Sequence, residues 1–123
     1  MPLPSFTNTN LKTLLNKKEL VIETIEQIKK DFGMFGIEIS FKGNIENAYD
    51  DLHTQLVKQV KELLHKNSEH LLSVLYRIDA SEKDIKQTEK ELPGYNHEEI
   101  IAHCIIAREF KKILTRNYYK NKE

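Results

Sequence analysis

Residues 68–82, SEHLLSVLYRIDASE, decide how this chain is read. Leu71, Leu72, Leu75 and Ile78 recur at helical spacing, and Asp79 and Ala80 break out of that stripe. Ser81 and Asp84 then stand at the spacing of a capping box, which opens a further helix. A helix that runs out directly into the start of another points to a mainly helical architecture. The stretch carries no chemical motif of its own.

Moving outward, the clearest helix follows Asn44, placed as its N-cap, with Ile45, Tyr49, Leu52, Leu56, Val60 and Leu63 on one stripe. It is expected to end near Lys66 and Asn67, and Ser68 to cap the helix after it. The polar helix opened by Ser81 runs to Leu92 with Ile85 looking inward, so it should lie on the surface. Pro93 and Gly94 break the chain, after which Asn96 caps a final helix with Glu98 and Glu99 in its first turn, where they suit the dipole. Ile100, Ile101, Cys104, Ile105, Ala107, Phe110, Ile113 and Leu114 make its apolar set broad enough for two neighbours at once. An earlier helix is expected from about Asn16 to Phe32, on Val21, Ile25, Ile28 and Phe32, with Gly33 as the stop.

Between Gly33 and Gly43 the period changes from helical to two. Ile37, Ile39 and Phe41 alternate with Glu38, Ser40 and Lys42, the signature of a half-buried strand. A lone strand leaves backbone donors and acceptors unpaired, so residues 36–42 need a partner, and a second copy of the chain is one candidate. Ile37, Ile39 and Phe41 are therefore the candidate interface. Residues 1–15, with Pro2, Pro4 and a Ser/Thr/Asn cluster, read as a loosely ordered lead-in. The fold expected is one mainly α domain over 1–123, a small bundle of about five helices with one short extended segment.

The 123 residues suit one core, and 19 basic side chains cancel 19 acidic ones, so no global field draws in nucleic acid or an anionic membrane. Cys104, the single cysteine, cannot form an internal disulfide, and the N-terminus lacks the pattern of a signal peptide. No apolar run approaches the roughly 20 residues that span a bilayer. A cytoplasmic location without membrane contact is expected.

Chemistry finds little foothold. Glu62 and His65 reproduce the Glu-x-x-His spacing of di-metal carboxylate bundles once only, and such a site needs two copies and further glutamates. Cys104 lies on the apolar stripe, about 100° around the helix from His103, which suits a buried hydrophobe better than a nucleophile. No catalytic residue, cofactor or metal ligand is assigned, and no enzyme is expected. Arg77 projects from an apolar helix and is expected to clamp the last helix through Glu98 or Glu109. Arg108, Lys112 and Arg116 are spaced four apart, and residues 108–123 hold six basic and two acidic side chains, a local net charge of +4. That stripe is the candidate contact for nucleic acid or another anion.

The segments DFGMFGIEISF, SVLYRIDASEKDI and EEIIAHCIIAREFKKILTR resemble a group of short proteins from bacteria of the Bacteroidota type, in which an LLYRID-S-E-like segment precedes a basic final helix. The resemblance implies a cytoplasmic bacterial helical protein and carries over no functional residues. The expected function is a non-enzymatic protein-interaction module, self-associating as a homodimer or docking another protein. A small nucleic-acid-binding protein is the alternative.

Overall fold

Amphipathic helices must hide one face each, and in this chain one helix supplies the surface on which the others do so. The computed structural model describes residues 18–41 and 43–121, the last two as backbone alone. Helix α1 spans Lys18–Gly33, a 3-10 turn spans Ile45–Asn47, and α2 spans Ala48–Lys66. Helices α3 (Ser68–Ile78), α4 (Glu82–Glu91) and α5 (His97–Asn121) follow. The described residues form a small all-α bundle of five helices. The expected lead-in at 1–15 lies outside the described residues.

Helix α5, 25 residues and about 37 Å long, packs against all four other helices. Ile100 to Ala107 are buried without interruption, so this helix is covered on every side and not on two, as the sequence suggested. Ile28 and Phe32 of α1, Leu52 and Leu56 of α2, Val74 and Ile78 of α3, and Ile105 and Phe110 of α5 meet in the core. No described helix is long and apolar enough to cross a membrane.

Local signals place the helix ends. Asn96 Oδ1 accepts from the Glu99 N–H and the Glu99 carboxylate accepts from the Asn96 N–H, each at 2.9 Å, a reciprocal cap at the start of α5. The same box opens α4 between Ser81 and Asp84. The cap of α3 is Asn67, one residue before the expected Ser68, because its side chain accepts from the His70 N–H at 3.1 Å. Asn44 precedes the 3-10 turn without a side-chain cap, and the α-helix begins three residues later than the turn. At the far end of α3, Asp79 takes the left-handed conformation (φ 69°) and the Ala80 N–H closes back on the Leu75 carbonyl at 2.9 Å.

Residues 36–42 are the main correction. No β-strand forms among the described residues, and Ile37 to Phe41 run as an irregular strap over the bundle. The side-chain alternation is as read: Ile39 is 4% exposed, Ile37 and Phe41 are half-buried against the core, and Glu38 and Ser40 face out. Backbone pairing comes from a side chain instead. The Ser40 N–H donates to Gln55 Oε1 at 3.1 Å, and Gln55 Nε2 donates to the Ser40 carbonyl. A carboxamide offers the donor and acceptor of a peptide unit, so one residue of α2 stands in for a neighbouring strand. Replacing Gln55 by Ala should lower stability by about 1 kcal/mol and speed hydrogen exchange of the Ser40 amide. Unchanged exchange at Ser40 would show that the strap is held otherwise.

Candidate functional site

Asp31 on α1 and Glu109 on α5 bring two carboxyl groups together inside the bundle, with side-chain exposures of 2% and 0%. Lys112, one turn beyond Glu109, reaches both: its Nζ is 2.8 Å from Glu109 Oε1 and 3.4 Å from Asp31 Oδ2. Arg77 Nε of α3 donates to Asp31 Oδ1 at 3.0 Å, and Gln27 Nε2 donates to the same oxygen at 3.2 Å. Arg77 is thus a clamp, as expected, but its partner is Asp31 and not Glu98 or Glu109.

Two touching buried carboxyls do not both ionise. Burial pushes Glu109 up to about 8, its hydrogen bond to Asp31 pushes the same way, and Lys112 pulls against them. Burial also opposes ionisation of Asp31, yet the hydrogen bonds from Glu109 and Gln27 and the charge of Lys112 outweigh it and hold this carboxyl below its ordinary value. At neutral pH, Asp31 carries the negative charge and Glu109 keeps the proton.

A second polar cluster lies between α2 and α5. The Tyr49 hydroxyl is 2.7 Å from His103 Nδ1 and 3.1 Å from the Tyr95 hydroxyl, and the His53 ring stacks on Tyr49 with centroids 5.2 Å apart. His53 Nε2 donates to the Glu99 carbonyl at 3.0 Å. Burial, helped by the nearby His53, pushes His103 down to about 4, and burial raises the Tyr49 phenol. Both groups stay neutral at physiological pH, which suits a hydrogen-bonded core better than acid–base work at pH 7. Cys104 is buried, donates to Thr88 Oγ1 of α4 at 3.2 Å, and has its thiol pushed up by burial.

The expected basic stripe is largely occupied by the protein itself. Arg108 pairs with Asp79 at 2.8 Å, Lys112 with the buried acids, and Arg116 donates to Gln27 at 3.0 Å. Three cations on one helix face have become ties to α1 and α3. The expected interface residues are also drawn inward: Ile39 belongs to the core, and Ile37 and Phe41 pack partly against it. Glu62 and His65 are both exposed near the end of α2, and among the described residues no group of three or more His, Cys, Asp or Glu side chains is placed to hold a metal ion.

The feature that the sequence reading missed is an apolar face on α3. Among the described residues five large hydrophobics are exposed, and three of them, Met34 (61%), Leu72 (65%) and Tyr76 (89%), meet in one place. With Phe35, Ser73 and Arg77 they line an open groove of about 600 Å³ between the end of α1 and the outer side of α3. Gly36, at φ +74°, turns the chain just after Phe35, and the Ile37 N–H returns to the Phe32 carbonyl at 3.0 Å, which holds Met34 and Phe35 beside α3. A finer wheel separates the faces: Leu71, Val74, Leu75 and Ile78 point in, and Glu69, Leu72, Ser73, Tyr76 and Arg77 point out. Comparison with protein-family models, curated proteins and solved structures gave no match.

The buried pair and His103 give stability opposing pH slopes. The folded chain holds a proton on Glu109 that the unfolded chain releases above about 4.5, so stability falls as pH rises through 8. The unfolded chain protonates His103 below about 6.5 while the folded chain resists until about 4, so stability also falls on that side. Above pH 6.5 Glu109 acts without that counterweight. Denaturant unfolding should show stability falling as pH rises from 6.5 to 8, a decline absent in Glu109→Gln. The same decline in both proteins would rule Glu109 out as its source.

Proposed function

We propose that this chain is a non-enzymatic helical protein-interaction module that self-associates through the outward face of α3. The gathering of Met34, Leu72 and Tyr76 around one groove carries this reading. Scattered exposed hydrophobics are ordinary, whereas a contiguous set beside a groove is the usual mark of a docking surface. The groove is held in shape by the Gly36 turn, which keeps Met34 and Phe35 beside α3, and by the Arg77–Asp31 tie between α3 and α1. A cytoplasmic bacterial setting accords with Cys104 as a buried free thiol. The nucleic-acid alternative has less support, since Arg108 and Lys112 already face the protein's own carboxylates.

Light scattering coupled to size exclusion, run from micromolar to sub-millimolar protein, should show mass rising above the 14.5 kDa of one chain. Leu72→Glu places a charge on the face without disturbing the core, so it should weaken association at least tenfold, about 1.4 kcal/mol, and leave the melting temperature unchanged. A wild-type protein that stays monomeric throughout, or a Leu72→Glu variant that associates equally well, overturns the reading.

A further inference from the structure

The outward face of α3 has a pattern of its own. Glu69 lies four residues before Ser73 and Arg77 four residues after it, so the three share one stripe, and Tyr76 and Leu72 border that stripe on one side. Rotating the helix by a half-turn about an axis through Ser73 therefore exchanges the places of Glu69 and Arg77. We infer that the occupant of the groove is a second copy of this chain, with α3 packed antiparallel on α3 about a two-fold axis at Ser73. This rests on the interaction-module reading and specifies its partner and geometry.

Three observations favour a second copy. Charge complementarity is built in: in an antiparallel pair Glu69 faces the partner's Arg77, and the symmetry repeats that contact. Arg77 is equipped for it, because Nε is its one group tied to Asp31 and its other N–H groups make no hydrogen bond among the described residues. With Glu109 protonated, Asp31 is the single ionised carboxylate facing two cations, Arg77 and Lys112, so the end of the groove keeps a positive charge for a partner carboxylate. Second, Ser73 is small, exposed and lines the groove, which lets two helix axes approach to about 8 Å. Third, Tyr76 stands three residues after Ser73 and His70 three before it, so the rotation brings Tyr76 level with the partner's His70 along the helices, with aromatic rings on both edges of the contact. His70 packs on Phe35 with ring centroids 5.3 Å apart, which fixes the aromatic edge on its side. Helices of 11 residues give a small interface, consistent with reversible association and not with an obligate dimer.

The test is cross-linking at the axis. Ser73→Cys, exposed to a mild oxidant at concentrations where the wild type associates, should be converted to a disulfide dimer, because the two-fold axis brings both sulfurs into bonding range. Lys86→Cys on α4 serves as the reference and should cross-link at least tenfold more slowly. The natural Cys104 is buried and does not compete. Glu69→Lys should weaken association about tenfold, and high salt should narrow the gap between variant and wild type. Association without preferential Ser73→Cys cross-linking overturns this pairing and leaves the interaction-module reading in place. A protein monomeric at every concentration overturns the pairing together with self-association.

Discussion

Everything else in the fold depends on the burial of α5 on all its sides. A helix surrounded by four others has no wet face on which to leave its polar groups through its middle turns, so each must find a partner within the bundle. His103 meets Tyr49 of α2, Cys104 meets Thr88 of α4, Glu109 meets Asp31 of α1, and Arg108 meets Asp79 at the end of α3. Each neighbouring element is thus addressed by a different residue of the central helix. Apolar contact drives the helices together but says little about register, because leucine and isoleucine pack acceptably in several offsets. The polar contacts select one.

The acid pair shows how this selection bears on charge. Removing two carboxyls from water is unfavourable, and the bundle limits the cost by leaving a proton on one of them and setting Lys112 and Arg77 at the edge, where both cations keep partial contact with solvent. Arg77 then joins the interior to the surface. Its Nε belongs to the buried cluster while the side chain also lines the exposed groove, so one residue ties the interior acid to the surface beside α3.

Much of the fold was legible because helical periodicity and capping are local. The reciprocal caps at Ser81 with Asp84 and at Asn96 with Glu99 lie three residues apart in sequence, and the breaks at Gly33 and Pro93 are equally plain. What escaped was set by tertiary contacts. Leu72 reads as part of an apolar stripe with Leu71, and only the burial of Val74 shows which face turns inward. Asp31 and Glu109 look like ordinary solvated acids until their helices are docked, although each sits beside inward positions, Asp31 between Ile28 and Phe32 and Glu109 between Ile106 and Ile113. The basic residues at 108, 112 and 116 look free in sequence for the same reason, since their partners come from helices far away in the chain. Period two at residues 37–41 reported burial correctly and pairing incorrectly, because one glutamine can do what a strand would do.

That glutamine has a consequence for how the protein survives crowding. A β-prone run such as Ile37–Phe41, left with open backbone groups, is a template on which like segments stack into fibrils. Gln55 blocks the middle of the run at Ser40, and Ile39 holds its apolar side inside the core. The chain thereby keeps a β-prone segment folded away from other molecules, and the apolar surface it does expose, Leu72 and Tyr76, lies on a helix whose backbone groups are already paired.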